Sequence, residues 1–255
     1  MQWGVKIVKT IKLGIICPMA NEIDSCERFV KEVITECNKF GFNSFYFISI
    51  FDKASTDGTF DLFQSLSKAL PKLIIVYAPE NKCVVDAYLR GYKEALDIGC
   101  DWILEMDAGY SHQPSDIKSF FEKMIQGYDC VFGSRFCKGG KYINSPITRY
   151  LLSRGGTVLT NMLLGTKLHD MTSGFELFTH DALTAILNKG ITSRGPFFQT
   201  EIKFHAHQFK IAEVPIQYNA TGQTTKSKYI SDSLGCLWRL FQQKYRVFNV
   251  LRKVI

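Results

Sequence analysis

Asp107 is the residue whose type and position most directly indicate chemistry in this chain. It directly follows the apolar run 102–106, so the sequence places a carboxylate where a buried strand ends. A carboxylate oxygen in that position could hold a hard divalent cation that bridges phosphate oxygens. A second interpretation stays open, because an aspartate in the turn before Pro114 can also cap the helix that follows.

Other polar clusters stand at the ends of strand-like runs in the first half of the chain. They are Asn21 and Glu22 after the first run, 52–57 after the second, 107–112 after the fourth, and Ser134 and Arg135 after the fifth. Ligands of open parallel sheets bind beyond the carboxyl ends of the strands, where loops leave the sheet. These four loops can therefore converge on one cleft.

The elements that must position these loops alternate between strand and helix, which is typical of a parallel sheet with crossover connections. Strands are predicted at 11–17, 44–51, 72–77, 102–106 and 130–133, and helices at 22–40, 57–70, 84–98 and 114–125. The less regular second half suggests helices at 147–164, 181–187 and 198–208, a short segment at 170–178 and a strand at 210–216. An α/β fold in one continuous domain follows.

Composition restricts the class of protein further. The 255 residues, 46% of them hydrophobic, suffice for a packed core. No apolar run reaches the roughly 18 residues of a membrane span, and the stretch before Pro18 favours a strand over a signal peptide. The eight cysteines form no Cys-x-x-Cys pair, which favours reduced thiols in the cytoplasm. The net charge of +7 indicates an anionic partner.

Five short motifs, taken together, resemble those of a known family. They are Pro18-Met19-Ala20-Asn21-Glu22, Asp52-Lys53-Ala54-Ser55-Thr56-Asp57-Gly58-Thr59, Glu105-Met106-Asp107-Ala108-Gly109-Tyr110-Ser111-His112-Gln113-Pro114, Gly133-Ser134-Arg135 and Asp170-Met171-Thr172-Ser173-Gly174-Phe175. Their order and their register with the strands resemble family-two glycosyltransferases over residues 11–216. The greatest likeness is to the dolichyl-phosphate mannose synthase branch.

The resemblance implies a GT-A fold, an open and mainly parallel sheet flanked by helices, that binds a nucleotide diphosphate sugar. It also implies inversion at the anomeric carbon in a single displacement. By the same resemblance, the nucleoside pocket is lined by Pro18, Asn21, Glu22 and Asp52 and is shaped by Asp57. Asp107 matches the first carboxylate of the Asp-x-Asp motif, which binds a divalent cation, Mg²⁺ or Mn²⁺, on the diphosphate.

Arg135 and Asp170 are the other predicted catalytic residues. Arg135 matches the arginine of the Gly-Ser-Arg motif, and its guanidinium could stabilise the charge that builds on the departing diphosphate. If the acceptor is a sugar hydroxyl, Asp170 is the first candidate for the general base. In the alternative interpretation, Asp170 is a structural carboxylate that binds the backbone of 172–174.

The metal motif departs from the family pattern. Gly109 stands where the second aspartate is expected, and Ser111 stands where mannose synthases often have glutamine. Two expected contacts are therefore missing, which leaves metal dependence open. His112 could supply a ligand, since imidazole accepts manganese, or it could be a hydrogen-bonding residue of the turn.

The predicted lipid-phosphate element is also incomplete. Ser227 and Lys228 match the family, and Lys228 is the predicted phosphate contact. Gly222 and Thr225 occupy the positions of the expected arginine and glycine. The acceptor can therefore be a polyprenyl phosphate or a saccharide.

The C-terminal residues favour an amphipathic helix, because apolar and aromatic residues recur at helical spacing from Leu234 onward and the charged residues among them are all basic. The chain divides on this basis into a catalytic domain at 1–229 and a basic helix at 230–255. Peripheral contact with a membrane and packing on the protein are both consistent with that pattern.

The leading hypothesis is a cytoplasmic inverting glycosyltransferase of cell-surface glycan biosynthesis, with peripheral contact to the inner face of the membrane as a further expectation. Its partners would be a nucleotide diphosphate sugar and a lipid-phosphate or glycan acceptor, with no nucleic acid. One alternative is a catalytically silent nucleotide-sugar-binding or assembly protein. A nucleotidyltransferase is a third, although the Gly-rich phosphate loop expected near its N-terminus is absent.

Overall fold

A computed structural model describes residues 10–219 and 227–251, without the side chains at 227–228 and 246–251. Its strands are β1 (Lys12–Pro18), β2 (Ser44–Phe51), β3 (Leu73–Tyr77), β4 (Trp102–Glu105), β5 (Cys130–Ser134), β6 (Lys141–Ile143), β7 (Glu176–Thr179), β8 (Ile211–Pro215) and β9 (Gln217–Asn219). Its helices are α1 (Cys26–Phe40), α2 (Thr59–Ala69), α3 (Val84–Asp97), α4 (Ile117–Ile125), α5 (Ile147–Leu164), α6 (His180–Leu187), α7 (Phe198–His205) and α8 (Ser227–Leu251).

Seven strands of this described part form the central sheet, in the order β3-β2-β1-β4-β7-β5-β8. Neighbouring strands pair in parallel, except that β7 runs antiparallel to both β4 and β5. A separate two-stranded sheet pairs β6 with β9 in parallel. The predicted open, mainly parallel α/β sheet is therefore confirmed.

Both faces of the sheet are covered by helices, and β2 carries buried hydrophobic residues that point to each face. Phe45 and Phe47 point into one buried cluster, which α1 and α4 cover. Ile48 and Ile50 point into the other, which α3, α6 and α7 cover. A strand buried on both faces needs apolar residues at successive positions rather than at alternate ones.

The predicted elements are present with small shifts at their ends. The second strand and the helix at 147–164 have the predicted bounds. The helix predicted from residue 22 begins only at Cys26, because the backbone around Glu22 forms the loop that leaves β1. Within the predicted segment 170–178, β7 is an antiparallel strand of the main sheet.

The C-terminal helix α8 packs against the rest of the protein along one side. Its Cys236, Leu237 and Leu240 are buried in a cluster with Leu164 of α5 and Phe204 of α7. These contacts agree with packing of the C-terminal helix on the protein. The helix begins at Ser227, so the predicted domain division at 229/230 stays a prediction. In the described part of the chain, no helix is both long and apolar enough for a bilayer span.

Candidate functional site

Asp107 lies just beyond β4, at the edge of the sheet where the first polar loops meet. Its Oδ1 accepts a hydrogen bond from the hydroxyl of Tyr88, which α3 supplies. Its Oδ2 lies 3.8 Å from Nε2 of His112, and its side chain keeps 38% of its surface exposed. The carboxylate is therefore held on one side and open to a ligand on the other.

His112 is a fully buried residue at the base of this loop. Its Nδ1 accepts a hydrogen bond of 2.9 Å from the backbone N–H of Asp107, and its ring stacks on Phe175. Burial lowers the pKa of His112 to about 4, so the neutral ring carries its proton on Nε2. Nε2 has no hydrogen-bond partner among the described residues. Metal binding by this residue would require the opposite tautomer and the loss of the bond from Asp107.

Gly109 and Tyr110 form a turn in which both residues are left-handed, with φ of 63° and 57°. This conformation is ordinary for glycine and rare for a bulky residue, so the turn is locally strained. A Cβ on Gly109 would meet the carboxylate of Glu22, with Oε1 only 2.8 Å away. The loops after β1 and β4 therefore touch at these two residues.

Asn21 and Asp57 join the loops after β1 and β2. Asn21 donates to the carbonyl of Ala54 at 2.8 Å and accepts from the N–H of Thr56 at 2.9 Å. Asp57 accepts from the N–H of Ile23 at 3.0 Å, and a hydrogen bond from the Thr59 hydroxyl lowers the pKa of Asp57. These bonds join the loops after β1 and β2 at one edge of the sheet, and the role of Asp57 in shaping a nucleoside pocket stays a prediction.

Pro18 and Asp52 complete the same edge. Pro18 is the last residue of β1 and pairs with Ile50 of β2. Asp52 directly follows β2, is half-buried, and accepts a hydrogen bond of 2.8 Å from the N–H of Ala54. The structure thus brings together all five residues predicted to form the nucleoside pocket.

Arg135 and Asp170 form a buried ion pair at the far side of the site. The Nε and Nη2 atoms of Arg135 donate to Oδ2 and Oδ1 of Asp170 at 2.7 and 2.8 Å. Burial alone would raise the pKa of Asp170, but the guanidinium outweighs it and lowers that pKa to about 2. Oδ1 also accepts from the N–H of Thr172 at 3.0 Å. These contacts match the structural alternative for Asp170, since a carboxylate so stabilised is a poor base.

Two tyrosine rings, here called the aromatic wall, lie beside the Arg135 guanidinium. The rings of Tyr142 and Tyr218 lie 4.9 and 5.3 Å from it, and Arg149 donates to the Tyr218 hydroxyl at 3.0 Å. The Tyr218 ring also lies 5.4 Å from that of His112, so it connects the Asp107 loop with the Arg135 pair. Sequence reasoning missed these residues, because β6 and β9, which carry the tyrosines, are too short to show a pattern.

A polar cluster lies in the core directly beneath Asp107. Glu105 of β4 stands opposite Glu176 of β7, and both are fully buried. Lys203 pairs with Glu176 at 2.6 Å, while Glu105 accepts hydrogen bonds from Tyr92 and Gln199. Burial, and next the charge of Glu176, raises the pKa of Glu105 well above its usual range. Since only one lysine faces the two buried carboxyls, this site favours the neutral form of Glu105.

Two predicted features remain to be placed. Lys228 lies in the first turn of α8, and its side chain is outside the described residues. Across the side chains that are described, no three His, Cys, Asp or Glu groups come together as a metal site. A cation at Asp107 would therefore need oxygens from a bound diphosphate as well as from the protein.

Comparisons with known proteins agree with this geometry. The family model Glycosyl transferase family 2 matches residues 14–187. An undecaprenyl-phosphate mannosyltransferase of Micrococcus luteus is 33% identical over 173 residues, which is 67% of this chain and 71% of that protein. A polyprenol monophosphomannose synthase of Mycolicibacterium smegmatis is 30% identical over 207 residues, with coverage of 80% and 76%. The predicted family resemblance is confirmed.

Solved structures show the same architecture. The glucosyl-3-phosphoglycerate synthase of Mycobacterium tuberculosis in complex with UDP matches 93% of this chain and 83% of its own, with a TM-score of 0.62 and 14% identity. The same protein with Mn²⁺, UDP-glucose and phosphoglyceric acid matches 90% and 78%, with a TM-score of 0.61 and 14% identity. At this identity the likeness establishes the fold, and the predicted GT-A fold is confirmed.

Proposed function

The chain belongs to glycosyl transferase family 2 and is a glycosyltransferase, and from that premise we propose that it transfers a sugar from a nucleoside diphosphate sugar to a polyprenyl phosphate. The observation that carries the proposal is the half-open Asp107 carboxylate, placed where the loops after β1, β2 and β4 meet. The relatives are named as mannosyltransferases of undecaprenyl, polyprenol and dolichol phosphates. GDP-mannose is therefore the first donor to test.

The donor would lie along the edge formed by β2, β1 and β4. Pro18, Asn21, Asp52 and Asp57 would enclose the nucleoside, and the diphosphate would reach Asp107. A divalent cation held by Asp107 would supply positive charge to the departing diphosphate. The Nε2–H of His112 faces the same region and can donate to an oxygen bound there.

The hydrogen bonds of Asp170 bear on the choice between the two acceptors. A sugar hydroxyl needs a general base, but the oxygens of Asp170 are already bonded to Arg135 and Thr172. A phosphate monoester is an anion and attacks without losing a proton, so the buried pair supports a polyprenyl phosphate over a saccharide. Arg135 then contributes positive potential and positions the aromatic wall, and Lys228 stays a predicted phosphate contact.

A membrane-facing surface would present the lipid acceptor to this site. Helices α5 and α8, which pack on each other, expose an apolar set of residues in which the side chains are 56–69% exposed: Ile147, Leu151, Val158, Met162, Leu234 and Trp238. Exposed patches of this kind mark interaction sites, and aromatic residues suit a lipid interface. We propose that this surface holds the protein peripherally on a membrane.

A transfer assay tests the proposal directly. Purified protein, labelled GDP-mannose or UDP-glucose and undecaprenyl phosphate in detergent should give a labelled product that partitions into organic solvent. The label should return to the water phase after mild acid, because a glycosyl phosphodiester is acid-labile. Transfer to soluble saccharides alone would contradict the lipid acceptor.

A catalytically silent nucleotide-sugar-binding protein is the second candidate. Gly109 favours it, because the Asp-x-Asp motif keeps only one acid. Donor binding, measured by calorimetry, without transfer or donor hydrolysis under every cation tested would support this candidate over an enzyme.

A further inference from the structure

The carboxylate of Glu22 occupies the space in which a side chain at position 109 would begin. A Cβ built on Gly109 would lie 2.8 Å from Oε1 and 2.9 Å from Cδ of Glu22, with Oε2 nearer still. Real Cβ atoms essentially never come within 3.0 Å of a heavy atom to which they are not bonded, outside their own residue and its chain neighbours. A side chain at position 109 and the Glu22 carboxylate in its present position cannot both be accommodated, so such a side chain would force the flexible end of Glu22 to move.

The protein holds Glu22 in place from several sides. The backbone N–H of Glu22 donates to the Thr59 hydroxyl at 2.9 Å, and the Ser25 hydroxyl donates to Oε2 at 3.3 Å. The carboxylates of Asp57 and Asp107 lie near enough for their negative charges to act on Glu22. Among the described side chains, neither Glu22 nor Asp107 forms an ion pair with a lysine or arginine. Within the described part of the chain, no lysine or arginine therefore neutralises these two neighbouring carboxylates.

A separate observation points to a ligand at the same place. Nε2 of His112 is completely buried, lacks a hydrogen-bond partner in the described part of the chain, and faces Asp107 Oδ2 from 3.8 Å. A buried donor without a partner is costly unless a bound group accepts its hydrogen bond. An oxygen of a diphosphate beside Asp107 would satisfy it.

We propose that Glu22 is the second protein carboxylate of a divalent-cation site shared with Asp107, and that Gly109 leaves the space which Glu22 fills. The inference rests on the proposed function, since the donor's diphosphate completes the cation's shell. Magnesium is commonly held by one or two carboxylates together with substrate phosphates, so two acids suffice. The acid missing from the β4 loop is thereby supplied by the β1 loop, and Glu22 belongs to the diphosphate end of the pocket rather than to the nucleoside.

The first experiment measures cation binding rather than turnover. Free Mn²⁺ is titrated by electron paramagnetic resonance against the full-length protein with GDP or UDP present. Glu22→Gln removes the charge but can still accept from Ser25, and we expect it to weaken Mn²⁺ binding at least about tenfold. Glu27→Gln, an exposed site on α1, is the matched control and should bind as the wild type does. Equal Mn²⁺ affinity for wild type and Glu22→Gln would overturn the inference.

The second experiment moves the acid across the gap. Glu22→Ala should lose Mn²⁺ affinity, and the double variant Glu22→Ala/Gly109→Asp should recover most of it, because removing Glu22 opens the space at 109. Aspartate tolerates the left-handed backbone of that position better than most residues. Failure of the double variant to bind more Mn²⁺ than Glu22→Ala, with both variants folded by circular dichroism, would count against a shared site.

The two proposals fail in different ways. Tight binding of GDP or UDP and sugar transfer that persist in EDTA, in wild type and Glu22→Gln alike, would contradict the cation site and leave the proposed function intact. Absence of any nucleoside diphosphate binding to the wild type, with or without Mn²⁺, would overturn both.

Discussion

Arg135 and Asp170 fix each other in a buried two-point ion pair, with hydrogen bonds of 2.7 and 2.8 Å between groups that are at most 5% exposed. Asp170 brings the loop before β7 against the end of β5. Since the Arg135 guanidinium also contacts the aromatic wall, we propose that the pair holds the far side of the cleft together.

Replacing Asp170 by asparagine should therefore reduce stability as well as activity. The change leaves a buried guanidinium without its counter-charge, which costs about 3–5 kcal/mol in buried pairs. Urea unfolding should show the loss as a lower midpoint. A folded variant with an unchanged midpoint and no transfer would instead restore Asp170 as a general base.

Replacing Asp107 by asparagine should have the opposite profile. Its carboxylate is partly exposed and faces the proposed diphosphate, so we expect transfer to fall about 100-fold or more with little change in the unfolding midpoint. Labelled-sugar transfer and thermal unfolding, measured on the same preparation, check both halves. An unchanged rate would remove Asp107 from the catalytic site.

Glu105 should make the protein less stable as the pH rises. Its pKa is raised in the folded protein from the ordinary value of 4.5. The folded state therefore keeps a proton that the unfolded state releases, and the free energy of unfolding falls with increasing pH above about 4.5. Glutamine has nearly the shape of a protonated glutamate. Glu105→Gln therefore keeps a neutral side chain at this position, among Glu176, Lys203, Tyr92 and Gln199. Urea unfolding between pH 5 and 8 should show a flatter pH dependence for this variant, and an identical slope would contradict a proton on Glu105.

The exposed apolar surface of α5 and α8 should control membrane binding. Leu151 and Met162 are 60% and 69% exposed, so serine at both positions should lower flotation with anionic liposomes without affecting thermal stability. Ile125→Ser is the control, since that residue is also 43% exposed but lies on α4. Equal flotation of the double variant, the control and the wild type would argue against a lipid-facing role.

The sequence predicted those parts of the fold that depend on local pattern. The strands that are buried on both faces, such as β2, carry apolar residues at successive positions. This pattern can be recognised without knowing which strands lie beside them. The strand β7 has four residues and begins with a glutamate, and only its pairing between β4 and β5 makes it part of the sheet. The short pair β6 and β9 depends in the same way on distant contacts.

The sequence motifs name candidate site residues, but they do not give the contacts between those residues. Arg135 and Asp170 were both identified from their motifs, yet nothing in their spacing indicated that they neutralise each other. From the sequence, Gly109 indicates only a missing acid, because the position of Glu22 beside it arises from two loops that meet only in the folded chain. Side-chain geometry between loops is thus the information that the sequence pattern lacks.

The mutual exclusion of Glu22 and a side chain at 109 also constrains how this chain can evolve. Aspartate cannot enter at 109 while Glu22 keeps its position, and under the proposed cation site an early loss of Glu22 would leave a single acid. The two positions are therefore coupled, because an acid that enters at 109 must displace the flexible end of Glu22. Relatives that carry an acid at both positions should therefore hold the glutamate away from the β4 loop.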